Sequence, residues 1–143
     1  MSFVVDSSVS LSWCFADERS DATDTLLQRV VDDGAVAPSL WPLEVLNVLV
    51  MAERRKRINA ERRQRLAGFL RDLPISIDDA TNGQAWQITA QLAAQLSVYD
   101  AAYLDLAQRL GLPLATLDKP LRVAADALGV RLLGTAQDEV RRP

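Results

Sequence analysis

Four acidic residues stand where purely structural acids are uncommon, in a 143-residue chain that contains no histidine. Phe3-Val4-Val5-Asp6 and Leu114-Ala115-Thr116-Leu117-Asp118 both read as short β-strands running out into an aspartate. In an open parallel sheet, ligands bind beyond the carboxyl ends of the strands, so two carboxylates delivered there would converge on one site. Glu44 interrupts the apolar stretch from Leu40 to Ala52, and Asp100 opens the apolar segment Asp100-Ala101-Ala102-Tyr103-Leu104. Clustered acids repel one another unless a cation neutralises them, and hard divalent ions prefer oxygen ligands. The chemistry suggested is that of a divalent-metal site.

Each acid also has a simpler reading. Asp6 and Asp118 precede predicted helices and could serve only as N-caps, a role for which aspartate is strongly favoured; Asp100 is open to the same reading. Glu44 is not, because it lies inside a predicted helix between Leu43 and Val45. An unpaired carboxylate buried there costs several kcal/mol, which calls for a metal, a basic partner or access to water. Asn47, three residues on, shares the face of Glu44.

Composition narrows the classes. The chain is 49% hydrophobic and has the commonest domain length, so one domain over residues 1–133 with a short charged tail at 134–143 is expected. A formal charge of −3 gives no global attraction for nucleic acid. The basic residues are instead concentrated: Arg54, Arg55, Lys56, Arg57, Arg62, Arg63, Arg65 and Arg71 are half of them. They read either as solvated faces of two successive helices or as an electrostatic path for a phosphate backbone or a partner's acidic segment, with Arg54, Arg55, Arg57 and Arg62 the candidates for such contact. The lone Cys14 cannot form an internal disulfide, and no apolar run is long enough to cross a bilayer, so a soluble cytoplasmic protein is expected.

The elements that must position these side chains alternate along the chain. Strands are predicted at Phe3 to Val5, Ala35 to Ala37, Ile75 to Ile77, Leu114 to Leu117 and Val130 to Leu133. Helices are predicted from Ser7 or Ser8 (as N-cap) to about Phe15, Asp21 to Asp33, Ser39 (as N-cap) to the basic run at Arg54 to Arg57, Asn59 (as N-cap) to Asp72, Ala85 to Leu96, Asp100 to Leu110 and Pro120 to Leu128. Such alternation with short connections predicts an α/β fold, a central parallel sheet with helices on both faces. The helices on either side of Arg57 should form a hairpin. Trp13, Phe15, Trp41 and Trp86 are the large aromatics considered for contact surfaces, against a background expectation of core packing.

Taken in order, Asp6-Ser7-Ser8, Pro38-Ser39-Leu40-Trp41-Pro42-Leu43-Glu44-Val45-Leu46-Asn47, Tyr99-Asp100-Ala101-Ala102-Tyr103-Leu104 and Thr116-Leu117-Asp118, with Ala124-Ala125 and Gly129 beyond, resemble the PIN-domain ribonucleases, specifically the VapC-like toxins of type II toxin–antitoxin systems. The resemblance spans residues 3 to 133 and implies a PIN-like three-layer fold with Mg²⁺- or Mn²⁺-dependent endoribonuclease activity. It implies metal-site roles for Asp6, Glu44, Asp100 and Asp118, supporting roles around those acids for Ser8, Asn47 and Thr116, a cognate antitoxin as partner, and a homodimer. Asp105 departs from the small or apolar residue usual in relatives and is expected to point away from the site; Lys119-Pro120 stands where some relatives carry a further acid. Without an imidazole pair, hydrolysis would rely on a metal-activated water, giving a 5′-phosphate and a 3′-hydroxyl. Two other readings are a catalytically silent PIN-like module that binds RNA or protein, and a Mg²⁺-binding receiver domain.

Overall fold

The computed structural model describes residues 2–92 and 94–140; Arg141 to Pro143, the end of the expected tail, lie outside the described residues. Five parallel strands form one sheet: β1 (Val4–Val5), β2 (Ala35–Pro38), β3 (Ile75–Asp78), β4 (Leu114–Ala115) and β5 (Leu132–Leu133), in the order β3-β2-β1-β4-β5. Val4 pairs with Val36 on one side and Leu114 on the other, so β1 is central. Adjacent residues of a strand point to opposite faces, yet Val4, Val5, Leu114 and Ala115 are all fully buried. Both faces of the middle of the sheet are therefore covered, as the apolar runs without polar alternation require.

The helices are α1 (Ser7–Ser12), α2 (Asp21–Asp33), α3 (Trp41–Arg54), α4 (Ala60–Asp72), α5 (Thr81–Gln91), α6 (Val98–Leu110), α7 (Lys119–Ala127) and α8 (Ala136–Val140), with a 3₁₀ turn at Ala16–Glu18. Their starts follow local chemistry. Ser20 and Thr23 form a reciprocal capping box on α2, Asn59 accepts the Arg62 N–H at the start of α4, and Ser97 accepts the Asp100 N–H at the start of α6. Gly34 ends α2 at φ 79°, a left-handed conformation in which an added Cβ would also meet the Pro74 carbonyl oxygen at 3.2 Å.

Several boundaries depart from expectation: Asp6, not Ser7 or Ser8, caps α1, which ends at Ser12 rather than Phe15; α5 ends at Gln91 rather than Leu96; α6 starts at Val98 rather than Asp100; and β4 and β5 are shorter than expected. Ser39 does not cap α3: Leu40 holds that position without a side-chain cap, and the Ser39 N–H donates to Thr81 Oγ1 at 3.0 Å. α5 begins at Thr81 rather than Ala85, carrying Gly83 inside it, because the Thr81 hydroxyl anchors its first turn to Asp78. The part of the expected tail that is described contains α8, docked by Arg122, whose guanidinium donates to Asp138 Oδ1 at 2.5 Å and to the Thr116 carbonyl at 2.7 Å.

Strand order decides where a site can form. The chain passes from β1 to β2 to β3 on one side, then crosses to place β4 on the other flank of β1. In sheets of this kind ligands bind where that order reverses, which here is at the carboxyl ends of β1 and β4. Asp6 follows β1 directly, and Asp118 leaves the β4 segment.

Candidate active site

Asp6 is nearly inaccessible, with 4% of its surface exposed. Its Oδ1 accepts the Val9 N–H at 3.0 Å and the Ser8 hydroxyl at 2.7 Å, and Thr116 supplies a further side-chain hydrogen bond. Burial pushes the carboxyl up to about 6; the bonds from Thr116, Ser8 and Val9 oppose that rise, and the nearby Asp100 charge adds to it. Asp6 is thus an N-cap, as the simpler reading has it, and also an acid held in a costly environment beside other acids.

Glu44 enters from the first turn of α3 and is half-buried. The hydroxyl of Tyr103, a residue only 1% exposed, donates to its Oε1 at 2.5 Å. Burial raises the Glu44 carboxyl, the Tyr103 bond holds it down, and Asp100 raises it again. Asp100, on the first turn of α6, is also raised, first by burial and then by Asp118. Asp118 caps α7 by accepting the Leu121 N–H at 3.0 Å, while its own N–H donates to Thr116 Oγ1 at 3.0 Å. The Asp100 charge thus acts on Asp6 and Glu44, and the Asp118 charge acts on Asp100.

The hydroxyl supports expected around the acids are uneven. Ser8 joins the two strand ends, because it donates to Asp6 and accepts the Leu117 N–H at 2.9 Å. Thr116 links Asp6 and Asp118. Asn47 is exposed on α3, roughly one turn beyond Glu44.

The donor set is all oxygen, with neither imidazole nor thiolate among the four, which fits a hard divalent ion. Among the described residues no group of three or more acid, histidine or cysteine side chains stands where it could hold a metal ion. Mg²⁺ commonly takes one or two carboxylates directly and keeps several waters, so it does not require three of these acids to converge at once.

Residues 3–127 match the sequence model of the PIN domain. The chain belongs to the PIN-domain family. Its PIN domain is similar in fold to PAE2754 from Pyrobaculum aerophilum, at 20% identity, with 87% of each chain covered and a TM-score of 0.65. It is also similar to the sarcin-ricin loop cleaving toxin VapC20 of Mycobacterium tuberculosis, at 16% identity over 85% of this chain and 94% of that one, TM-score 0.61. A third likeness is to FitAB bound to a DNA fragment, at 14% identity over 94% of both chains, TM-score 0.64. Curated proteins offer no match.

Half of the basic residues of this PIN domain lie on the α3–α4 hairpin. Arg57 is engaged there: its guanidinium lies 4.0 Å from the centre of the Phe15 ring and pairs with Asp17 at 2.6 Å and Glu18 at 3.6 Å. Arg54, Arg55 and Arg62 are exposed. Arg54 lies ten residues beyond Glu44, hence about 15 Å along the helix from it.

Three of the four aromatics belong to the core of this PIN domain. Trp13, Phe15 and Trp41 are buried, the indole N–H of Trp13 donating to the Thr23 carbonyl and that of Trp41 to Ser10 Oγ. Trp86, 87% exposed, is the one that reaches a surface. Two residues with a part near the acids escape a reading of the sequence: Tyr103, whose buried hydroxyl needs a partner, and Arg122, which backs the Thr116 carbonyl. Asp105 accepts from Arg109 Nε at 2.7 Å, and Arg109 also reaches Asp78 at 2.8 Å, so it serves a clamp between α6 and the end of β3.

Proposed function

We propose that this PIN domain is a metal-dependent endoribonuclease and the toxin of a toxin–antitoxin pair. One observation supports the reading: Asp6 directly follows the central strand β1, Asp118 leaves the segment after its neighbour β4, and a single hydroxyl, Ser8, bonds both Asp6 and the Leu117 N–H beside Asp118. A folded protein that keeps raised carboxyls close together gives up stability there, which is the signature of a site retained for its chemistry.

In this reading Asp6, Glu44, Asp100 and Asp118 hold Mg²⁺ or Mn²⁺, Ser8 and Thr116 orient Asp6 and Asp118, and Asn47 stands at the rim beside Glu44. A bound divalent ion supplies charge neutralisation at the phosphate and lowers the pKa of water at neutral pH. The chain's own part is to fix the acids through hydroxyl and backbone donors, and to keep a carboxylate able to accept the proton of the attacking water. In-line displacement then leaves a 5′-phosphate and a 3′-hydroxyl. Arg54, Arg55 and Arg62 would meet phosphates along a strand leaving the acids, with Arg57 contributing mainly by holding the hairpin against Phe15.

Residues 1–133 act as one nuclease domain, working in the cytoplasm. The partners proposed are an RNA substrate, a cognate antitoxin and a second copy of the chain; exposed Leu43, Leu46, Val48, Trp86 and Tyr99 provide apolar contact area. Support for the toxin assignment comes from the fold likeness to VapC20, described as cleaving the sarcin-ricin loop. One feature favours a second reading, a silent PIN-like binding module: Asp6 and Asp118 each give an oxygen to a helix cap. Incubating the purified protein with defined RNAs in Mg²⁺, Mn²⁺ or EDTA separates the two, since only a nuclease yields metal-dependent 5′-phosphorylated fragments.

A further inference from the structure

We infer that Tyr103 is a positioning residue for Glu44, holding one oxygen of that carboxylate so that the other is presented to a divalent cation; this rests on the metal-site reading above. The geometry is direct. Tyr103 sits one turn beyond Asp100 on α6, its ring packed within the main core cluster and 1% exposed. Its hydroxyl donates to Glu44 Oε1 at 2.5 Å across the gap between α6 and α3. A core ring leaves that hydroxyl no freedom to seek another acceptor, and a buried hydroxyl left without one is costly. Glu44 is consequently tethered, although as a half-buried glutamate with three rotatable bonds it would otherwise sweep out toward solvent.

The tether also sets a distance. Because Tyr103 and Asp100 share a helix face, fixing Glu44 to Tyr103 fixes it relative to Asp100, whose charge also acts on Glu44. Groups that hydrogen-bond to a metal-binding carboxylate orient it, and removing them commonly weakens metal affinity 10- to 100-fold. Tyr103 therefore acts through Glu44 and touches neither the cation nor the RNA.

Mn²⁺ binding to metal-free protein, read by electron paramagnetic resonance, tests this with the variants Tyr103→Phe, Glu44→Gln and the two combined, each checked by thermal melting. Tyr103→Phe is expected to weaken Mn²⁺ binding about tenfold in the otherwise wild-type chain and less than about twofold in the Glu44→Gln chain. An equal loss in both backgrounds would make Tyr103 a structural core residue, and no loss in either would overturn the inference as well. Wild-type protein that binds no Mn²⁺ would remove the metal-site reading and this inference together, a result distinct from both. Should Tyr103→Phe fail to fold, the wild-type chain still answers: it has only two tyrosines, Tyr99 and Tyr103. With 3-fluorotyrosine incorporated, the ¹⁹F signal of Tyr103, assigned by its survival in Tyr99→Phe, is expected to shift on Mg²⁺ addition and to stay still in Glu44→Gln. A Tyr103 signal indifferent to Mg²⁺ in the wild-type chain would overturn the inference.

Discussion

Ser8 Oγ lies 2.7 Å from Asp6 Oδ1 and donates its proton there, while the same oxygen accepts the Leu117 N–H at 2.9 Å. One hydroxyl thus ties the end of β1 to the segment that delivers Asp118. Ser8→Ala leaves the part-buried Leu117 N–H without its acceptor, an expected cost of about 1–3 kcal/mol, and leaves the Asp6 carboxylate held only by Val9 and Thr116. Metal-dependent RNA cleavage should fall about 10- to 100-fold in a variant that still folds. Melting curves alongside cleavage rates check both parts; wild-type cleavage in Ser8→Ala would deny Ser8 its orienting role.

Asp6 makes stability depend on pH in a definite direction. Its carboxyl is raised from 3.8 to about 6 in the folded chain. Between those values the folded state holds the proton that the unfolded state has released, so stability declines as pH rises from about 4 through 6, by roughly 3 kcal/mol in the metal-free protein. Glu44 and Asp100 are raised as well and act in the same sense. Asp6→Asn keeps a capping side chain while removing the titrating group. Denaturant unfolding in EDTA should show a flatter pH profile for this variant and equal or greater stability at pH 7. A variant less stable than wild type at pH 7 would mean that Asp6 serves the fold as a charged cap.

Arg57 and its basic neighbours should separate experimentally. Arg57→Ala removes the cation–π packing over Phe15 and the exposed pairs with Asp17 and Glu18, for an expected loss of about 1 kcal/mol in stability. Neutralising Arg54, Arg55 and Arg62 together should leave stability nearly unchanged and lower the logarithmic salt slope of RNA binding, by about 0.7 for each single-strand phosphate no longer neutralised. Equal slopes for wild type and the triple variant would return these arginines to the role of a solvated face.

The sequence is most legible where one local rule acts alone. α2 runs from Asp21 to Asp33 as predicted because Ser20 and Gly34 are unambiguous start and stop signals, and Asn59 announces α4 in the same way. The four acids are legible as strand-end or helix-interior anomalies. What cannot be read locally depends on partners distant in sequence. Ser39 looks like a cap, yet its N–H is taken by Thr81, 42 residues on. Tyr103 reads as one more apolar position on a helix face until Glu44, 59 residues away, supplies an acceptor. Trp13 and Trp41 lie in the core, the background expectation for large aromatics, but the buried acceptor each finds for its indole N–H, the Thr23 carbonyl and Ser10 Oγ, is set by the fold.

An inhibitor that silences this site should do so by inserting a cation, most simply an arginine, among the acids, since a guanidinium can form bidentate bonds with carboxylates. Buried Trp13 and Trp41 offer it no surface, so its apolar contacts are expected on exposed residues such as Leu43 or Trp86. Raising Mn²⁺ should weaken the complex competitively. Inhibition that is indifferent to Mn²⁺ and survives removal of the inhibitor's arginines would place the interface elsewhere.

Whether Asp6, Glu44, Asp100 and Asp118 form one metal-dependent nuclease site is decided most directly by RNA cleavage with Asp6→Asn, Glu44→Gln, Asp100→Asn and Asp118→Asn beside the wild-type chain. Wild type is expected to cut in Mg²⁺ or Mn²⁺, leave 5′-phosphates and stop in EDTA. Each variant should lose at least about 100-fold in rate while melting no lower than wild type, because removing one charge relieves repulsion. Variants that cut as fast as wild type, or a wild-type chain that cuts no RNA in either metal, would be incompatible with a nuclease site built from these four acids.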